Sequence, residues 1–192
     1  METKALKLTL FLIMVIMGLF LLIPVFLPNH VDVKSSIEIH AKQEAVFQQV
    51  NVIKNRKKWS PFESDTTLID TYQGPAEGVG ARYTWKGLNQ DKGSISILKS
   101  QESSYIKTEL DFGTQGNSYG EWHFKQIGDN TLVKWGLHLQ GLHYPFGRWL
   151  GLLMPKMMKA EANKGLKRLK EIAEKLESTT DSIPATTKKQ TP

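Results

Sequence analysis

The chain contains no cysteine. Disulfides, zinc–thiolate sites and cysteine nucleophiles are therefore excluded, while the compartment is left open. Charge is missing from one long stretch. Leu8 to Leu27 (LTLFLIMVIMGLFLLIPVFL) holds no Asp, Glu, Lys or Arg. A run of about 20 apolar residues matches the thickness of a bilayer's hydrocarbon core. With no ionisable group inside it, an ion or proton path is excluded, and the segment reads as a tether. A site of small residues for signal cleavage is also missing. The run continues into Pro28-Asn29-His30, so an uncleaved anchor is favoured over a removable signal peptide. Lys4 and Lys7 precede the run and would hold the N-terminus in the cytoplasm by the positive-inside rule.

What remains of the 192 residues suits one domain with its own core. The formal net charge is +6 and the pI about 9.4. Ten of the 25 Lys and Arg lie beyond Gly147, most of them mixed with glutamates, which is the pattern of a solvated helix face. Lys54, Arg56, Lys57 and Lys58 make a second basic group beside Trp59. Basic and aromatic residues together can hold single-stranded nucleic acid. A domain tethered outside the cytoplasm would not meet any, so no nucleic-acid partner is expected. Lipid headgroups close to the tether are the alternative contact.

Beyond the anchor the pattern has period two. Val31, Val33, Ile37 and Ile39 share one face of a first strand. Ala41 to Val50 reads as a short helix with Val46, Phe47 and Val50 inward, and Asn51 to Pro61 as a second helical turn ended by Pro61. Six further strands are expected around Leu68–Tyr72, Ala81–Lys86, Ser94–Leu98, Ile106–Phe112, Glu121–Lys125 and Val133–Gln140. Each alternates apolar and polar residues, so the sheet is antiparallel, solvated on one face and covered on the other. Gly147 to about Glu177 has helical periodicity, with Leu150, Met154, Met157, Ala162, Leu166, Leu169, Ala173 and Leu176 in a stripe and a break or bend expected at Met154-Pro155. The polar segment 178–192 is expected to be a disordered tail. The fold class is α+β: a seven-stranded antiparallel curved sheet around a long C-terminal helix, preceded by one transmembrane helix. A strongly bent sheet is not filled by one helix, and such folds keep a cavity between the two.

This order resembles the helix-grip fold of the START/Bet v 1-like superfamily, and more narrowly the polyketide cyclase/dehydrase-like SRPBCC proteins of bacteria. Four stretches carry the resemblance: Ala41-Lys42-Gln43-Glu44-Ala45-Val46-Phe47, Trp59-Ser60-Pro61-Phe62, Tyr72-Gln73-Gly74-Pro75 with Gly78-Val79-Gly80-Ala81-Arg82-Tyr83-Thr84-Trp85, and Gly165-Leu166-Lys167-Arg168-Leu169-Lys170. It covers about Val31 to Leu176. With the apolar run, its lysines and the polar end, the expected layout is a cytoplasmic stub and anchor over 1–30, an SRPBCC domain over 31–177 and a tail over 178–192. The expected place is a bacterial inner membrane, single-pass, with the domain outside the cytoplasm; the resemblance supplies the bacterial family. It implies a fold more than a reaction.

Candidate chemistry is sparse. The glycine-rich Gly74–Gly80 joins two strands and lacks the following helix of a phosphate loop, so it reads as a hairpin turn. His30, His40, His123, His138 and His143 show no ligand spacing, and His123 and His138 fall on the polar face; no metal and no cofactor is expected. A serine–histidine–aspartate arrangement needs an inward histidine, and none is assigned. The expected cavity lining is Trp59, Phe62, Tyr83, Trp85, Ile97, Leu110, Phe112, Trp122, Phe124, Trp135, Leu137, Met154, Met157 and Met158, with Ile95 beside them. Among these only Tyr83 titrates, so no catalytic residue is assigned. Trp59 and Phe62 are expected at the cavity mouth. The expectation is a membrane-anchored domain that binds a hydrophobic or amphipathic small molecule, lipid included, without catalysis. The alternatives are a cyclase/dehydrase-type enzyme on a polyketide-like or other apolar substrate, needing an inward Glu121 or Asp111 through a register slip, and a protein-interaction module with a closed core.

Overall fold

The computed structural model describes residues 2–61, 69–87, 92–111 and 117–181. Phe62, Phe112 and the segment 182–192 lie outside the described residues. The chain opens with α1 (Glu2–Leu22), which passes into a 3₁₀ turn over Ile23–Phe26. Pro24 explains the change: it has no N–H for the α-helical ladder. From Thr3 to Phe26 the segment is long and apolar enough to cross a membrane.

Seven strands follow: β1 (Val31–Ile39), β2 (Ile69–Gln73), β3 (Arg82–Lys86), β4 (Lys92–Gln101), β5 (Tyr105–Asp111), β6 (Asn117–Ile127) and β7 (Asn130–Leu139). They form one antiparallel sheet in the order β1-β7-β6-β5-β4-β3-β2. Strands β2 to β7 are hairpin neighbours, while β1 reaches β7 by the sheet's one non-local pairing, Val31 opposite Leu139 through Ile39 opposite Thr131. The two short helices α2 (Gln43–Asn51) and α3 (Arg56–Trp59) fill the gap between β1 and β2. After β7 come α4 (Phe146–Leu150) and α5 (Met154–Asp181), which packs on β1, α2 and α3.

The expected break at Met154-Pro155 is present, as the gap between α4 and α5. The last helix runs to Asp181 rather than stopping near Glu177. Ser178 and Thr179 turn their hydroxyls back onto the Lys175 carbonyl (2.9 and 2.8 Å), which lets polar residues continue the helix. The expected stripe also differs at three residues. Met154, Met158, Ala162, Leu166, Leu169 and Ala173 face the core, whereas Met157 is 64 % exposed and Leu150 and Leu176 are exposed as well. Steps of four from Met154 to Leu166 hold one face, and Met157 falls a turn's third away from it.

The glycine turn behaves as the hairpin reading requires. Gly74 and Gly80 have φ of 74° and 88°, and a Cβ at Gly74 would strike the Gly80 carbonyl. The same loop docks on the α2 exit: Gly78 donates to the Asn51 carbonyl (3.2 Å) and Ile53 to the Ala76 carbonyl (3.3 Å). The helices are thereby held over the end of the sheet.

A second glycine sets how closely α5 approaches. A Cβ on Gly165 would lie 2.8 Å from Pro61 Cδ and 3.3 Å from the Trp135 ring. Alanine there would gain up to about 1 kcal/mol of helix propensity. Overpacking against a proline ring and a buried indole costs about 1–3 kcal/mol and outweighs it. Gly165→Ala should therefore lower the midpoint of urea unfolding, although the same change in a free helix would raise helicity; a higher midpoint would refute the contact.

Candidate functional site

The inward face of the sheet has two halves. On β6 and β7 it is packed with indoles. Trp122 and Trp135 stack at 4.3 Å, and Trp59 stands edge-on to both at 5.3 and 6.0 Å. All three are essentially fully buried. The Trp59 N–H donates to the Gln49 carbonyl at 2.9 Å, which pulls the ring inward from α3. Trp59 is thus a core wedge and not a residue at an opening, contrary to the sequence expectation. Phe124 and Leu137 are buried beside the indoles, and Phe47 meets Phe124 edge-on at 5.5 Å.

On β2 to β5 the inward face is looser. Tyr72, Tyr83 and Trp85 form a ladder of rings at 5.3 and 5.6 Å across β2 and β3. Tyr83, Ile95 and Ile97 are buried, but Tyr72, Trp85 and Leu110 are only half-buried, as are Met154 and Met158 of α5. Trp85 lies flat over Gly93, directly opposite it on β4; a Cβ there would enter the indole ring. Glycine at 93 is what gives this large ring its seat. Farther along, a Cβ on Gly120 would sit 2.5 Å from Thr108 Oγ1 and 3.8 Å from Trp122 Nε1. Trp122 Nε1 is buried with no hydrogen-bond partner among the described residues. A buried N–H left unpaired is costly, and this one sits inside the packed indole cluster of β6 and β7.

The sequence reading missed one charged group. Asp70 faces inward on β2, with its side chain 13 % exposed, opposite Trp85. Tyr83 donates its hydroxyl to Asp70 Oδ1 at 2.7 Å, and Lys57 forms an ion pair with Oδ2. Burial on its own would raise the Asp70 pKa; the bonds from Lys57 and Tyr83, with the Lys57 charge, outweigh it and hold the carboxyl below its ordinary range. The signal was present in the strand: Asp70 shares parity with Tyr72. Polarity hid it, because Ile69, an apolar residue, takes the outward position at 65 % exposure.

The two carboxylates proposed for a register slip stay outside. Asp111 pairs with Ser94 on the outer face. Glu121 accepts from Tyr105 (3.2 Å) and pairs with Lys107 (3.3 Å), with His138 at 3.8 Å. Burial favours the protonated acid, but Lys107 and Tyr105 outweigh it and lower the Glu121 pKa; burial and then the Glu121 charge raise that of Tyr105. This outer face holds an open polar hollow of about 670 Å³ over Lys34, Glu121, His123, Lys134 and His138. His123 and His138 are not opposite one another; they pair with Lys134 and Tyr119. Among the described residues no group of three or more potential ligands is placed to hold a metal.

The basic group beside Trp59 is tied down. Lys57 is paired to Asp70, Lys58 bonds Asn55 at 2.9 Å, Lys54 lies over the Tyr72 ring at 5.5 Å, and buried Arg56 lies over Trp59 at 5.3 Å.

Comparison with protein families matches residues 30–174 to the family described as polyketide cyclase / dehydrase and lipid transport. The chain belongs to this family. Solved structures similar to this polyketide cyclase/dehydrase-type chain include protein SA2116 of unknown function from Staphylococcus aureus, 14 % identical, TM-score 0.59, over 81 % of this chain and 99 % of that one. Protein CV1439 from Chromobacterium violaceum is 14 % identical, TM-score 0.54, over 77 % and 99 %. The di-domain ARO/CYC StfQ of the steffimycin biosynthetic pathway is 9 % identical, TM-score 0.59, over 78 % of this chain and 52 % of its own. At these identities the likeness shows the shared helix-grip fold. Comparison with curated proteins gives no match.

Two outcomes follow from the two halves. Trp59→Ala should cost about 3–5 kcal/mol in urea unfolding, as for a fully buried large side chain. Asp70→Asn should cost about 1–2 kcal/mol at neutral pH, the scale of hydrogen bonds to a charged group. Because the folded-state pKa of Asp70 is the lower one, its contribution is present above the unfolded value and is lost as pH falls through the folded value. The wild-type and Asp70→Asn unfolding curves should therefore converge in acid; a constant gap would refute the assignment.

Proposed function

We propose that this chain is a membrane-anchored member of its family that binds a hydrophobic or amphipathic small molecule, lipid included, against the β2–β5 half of the sheet. The observation that carries this reading is the half-buried aromatic ladder Tyr72–Tyr83–Trp85, left open beside a fully packed tryptophan core. A protein that needed only a closed core would bury these rings as it buries Trp59, Trp122 and Trp135. The family's description, which includes lipid transport, supports a guest of this class. Expected lining residues are Tyr83, Trp85, Ile97, Leu110, Met154 and Met158. Phe62 and Phe112 stay in the proposal on the sequence pattern alone. Apolar walls with few polar anchors suit an amphipathic guest. The anchor here is the Asp70–Tyr83 pair. The apolar Thr3–Phe26 helix serves as the tether.

A cyclase/dehydrase-type enzyme is the second reading, favoured by Asp70 and Tyr83 lying among the aromatic rings. Proton transfer works best from a group whose pKa lies near the working pH. Asp70 is displaced the other way, and two donors already occupy it. A positioning or selectivity role fits it better than that of a general base.

Native mass spectrometry of the detergent-purified full chain tests the reading. The expected result is a stoichiometric apolar or amphipathic species, with occupancy reduced roughly tenfold in Trp85→Ala, the equivalent of about 1.4 kcal/mol. A guest-free protein, or unchanged occupancy in that variant, would remove the basis for it.

A further inference from the structure

Pro24 leaves a vacancy in α1. It has no N–H, so the carbonyl of Phe20, four residues earlier, lacks its helical donor. Trp149 of α4 supplies one: its indole N–H donates to the Phe20 carbonyl at 3.0 Å, and the two rings stack at 5.8 Å. Tyr144 donates its hydroxyl to the Leu21 carbonyl at 2.5 Å. Arg148 Nη1 reaches the Pro24 and Val25 carbonyls at 2.8 and 3.2 Å. Four carbonyls at the end of the apolar helix, those of Phe20, Leu21, Pro24 and Val25, therefore accept from one short segment of the globular domain, and that of Pro24 also accepts from the Leu27 N–H at 3.2 Å. In a bilayer an unpaired backbone carbonyl is severely disfavoured, so such donors are required at this depth.

The same segment turns its apolar side chains outward. Phe146 is 73 % exposed and Leu153 65 %, with Leu150, Leu152 and Met157 exposed beside them. Phe146, Leu150, Leu152 and Leu153 border, with Phe20, an apolar hollow of about 750 Å³, continuous with the surface of α1. A patch of this kind on a globular protein marks an interaction surface. The charge pattern identifies the partner. No Asp or Glu occurs between Asp129 and Glu161, while Arg148, Lys156 and Lys159 flank the patch. Tyr and Trp beside aliphatic residues with cations just outside is the composition of a membrane interface.

We propose that Tyr144–Met157 is a second membrane contact, keyed to the Pro24 vacancy. Its aromatic donors clamp the last turns of α1, and Phe146, Leu150, Leu152, Leu153 and Met157 lie in the boundary between headgroups and acyl chains of the bilayer that α1 spans. The domain is thus held against the lipid surface at a set angle and does not swing freely on its tether. The inference rests on α1 being the anchor and is independent of the guest in the sheet.

The absence of cysteine makes the test direct. Single variants Leu150→Cys, Leu153→Cys, Val15→Cys and Ile127→Cys of the full chain are labelled with an environment-sensitive fluorophore and placed in phosphatidylcholine/phosphatidylglycerol vesicles. The vesicles carry lipids with a nitroxide near the headgroup or deep in the chain. The expected result is quenching at Val15 by deep nitroxides, at Leu150 and Leu153 by shallow ones, and none at Ile127. In a Trp149→Phe background, which keeps the ring and removes the donor, shallow quenching at Leu150 and Leu153 should fall while that at Val15 persists. Quenching at Val15 with water-exposed labels at 150 and 153 overturns the docking and leaves the anchor. Unquenched Val15 overturns both. Shielding at 150 and 153 that grows with protein density and ignores nitroxide depth shows contact between copies of the chain and overturns the lipid assignment. Bound guest, read by mass spectrometry on the same samples, reports separately on the function proposed above.

Discussion

The Trp59 indole is the contact on which the rest of the domain depends. Its N–H is bonded to the Gln49 carbonyl, its ring stands edge-on to the stacked Trp122 and Trp135, and Arg56 lies over it. One side chain thereby joins the α2–α3 segment to β6 and β7. Next to it, Gly165 allows α5 to settle on Pro61 and Trp135 without intervening atoms. Edge-to-face indoles contribute about 0.5–1.5 kcal/mol beyond the area they bury. Three of them in mutual contact make this half of the interior stiff and closed.

That closure gives the other half its character. With α5 held on β1, α2 and α3, the rings on β2 and β3 have less to pack against, and Trp85 and Tyr72 stay half-buried. Lys57 leaves α3 on the way out of the Trp59 turn and pairs with Asp70, so the same turn that plugs the core also sets a charge into the open half. The wall it enters is aromatic, and its carboxylate is already engaged by Lys57 and Tyr83.

The apolar N-terminal helix belongs to the same scheme. Pro24 unwinds the end of α1, and the domain answers with Tyr144, Arg148 and Trp149. The connection between this helix and the domain is a hydrogen-bonded joint rather than a bare linker.

Much of this was legible in the chain. Period-two alternation in Val31–Ile39, Ile106–Leu110 and Val133–Leu139 determined which residues face inward, because a strand's geometry leaves no other choice once one face is apolar. Length and apolarity did the same for Leu8–Leu27. Where the pattern and the polarity disagreed, the reading failed: Asp70 sits inward because Lys57 and Tyr83 neutralise it, and neither is near it in sequence. Met157 turned outward because the angle at which α5 settles selects Met158, and Trp59 went to the centre because a carbonyl on α2 receives its N–H. The meeting of Pro24 with Trp149 was likewise invisible, since a missing donor and its replacement stand more than a hundred residues apart. Sequence by itself determined the elements and their faces, which are set by local backbone geometry. Only the tertiary structure decided which polar groups meet, because those partnerships depend on distances that close when the whole domain packs.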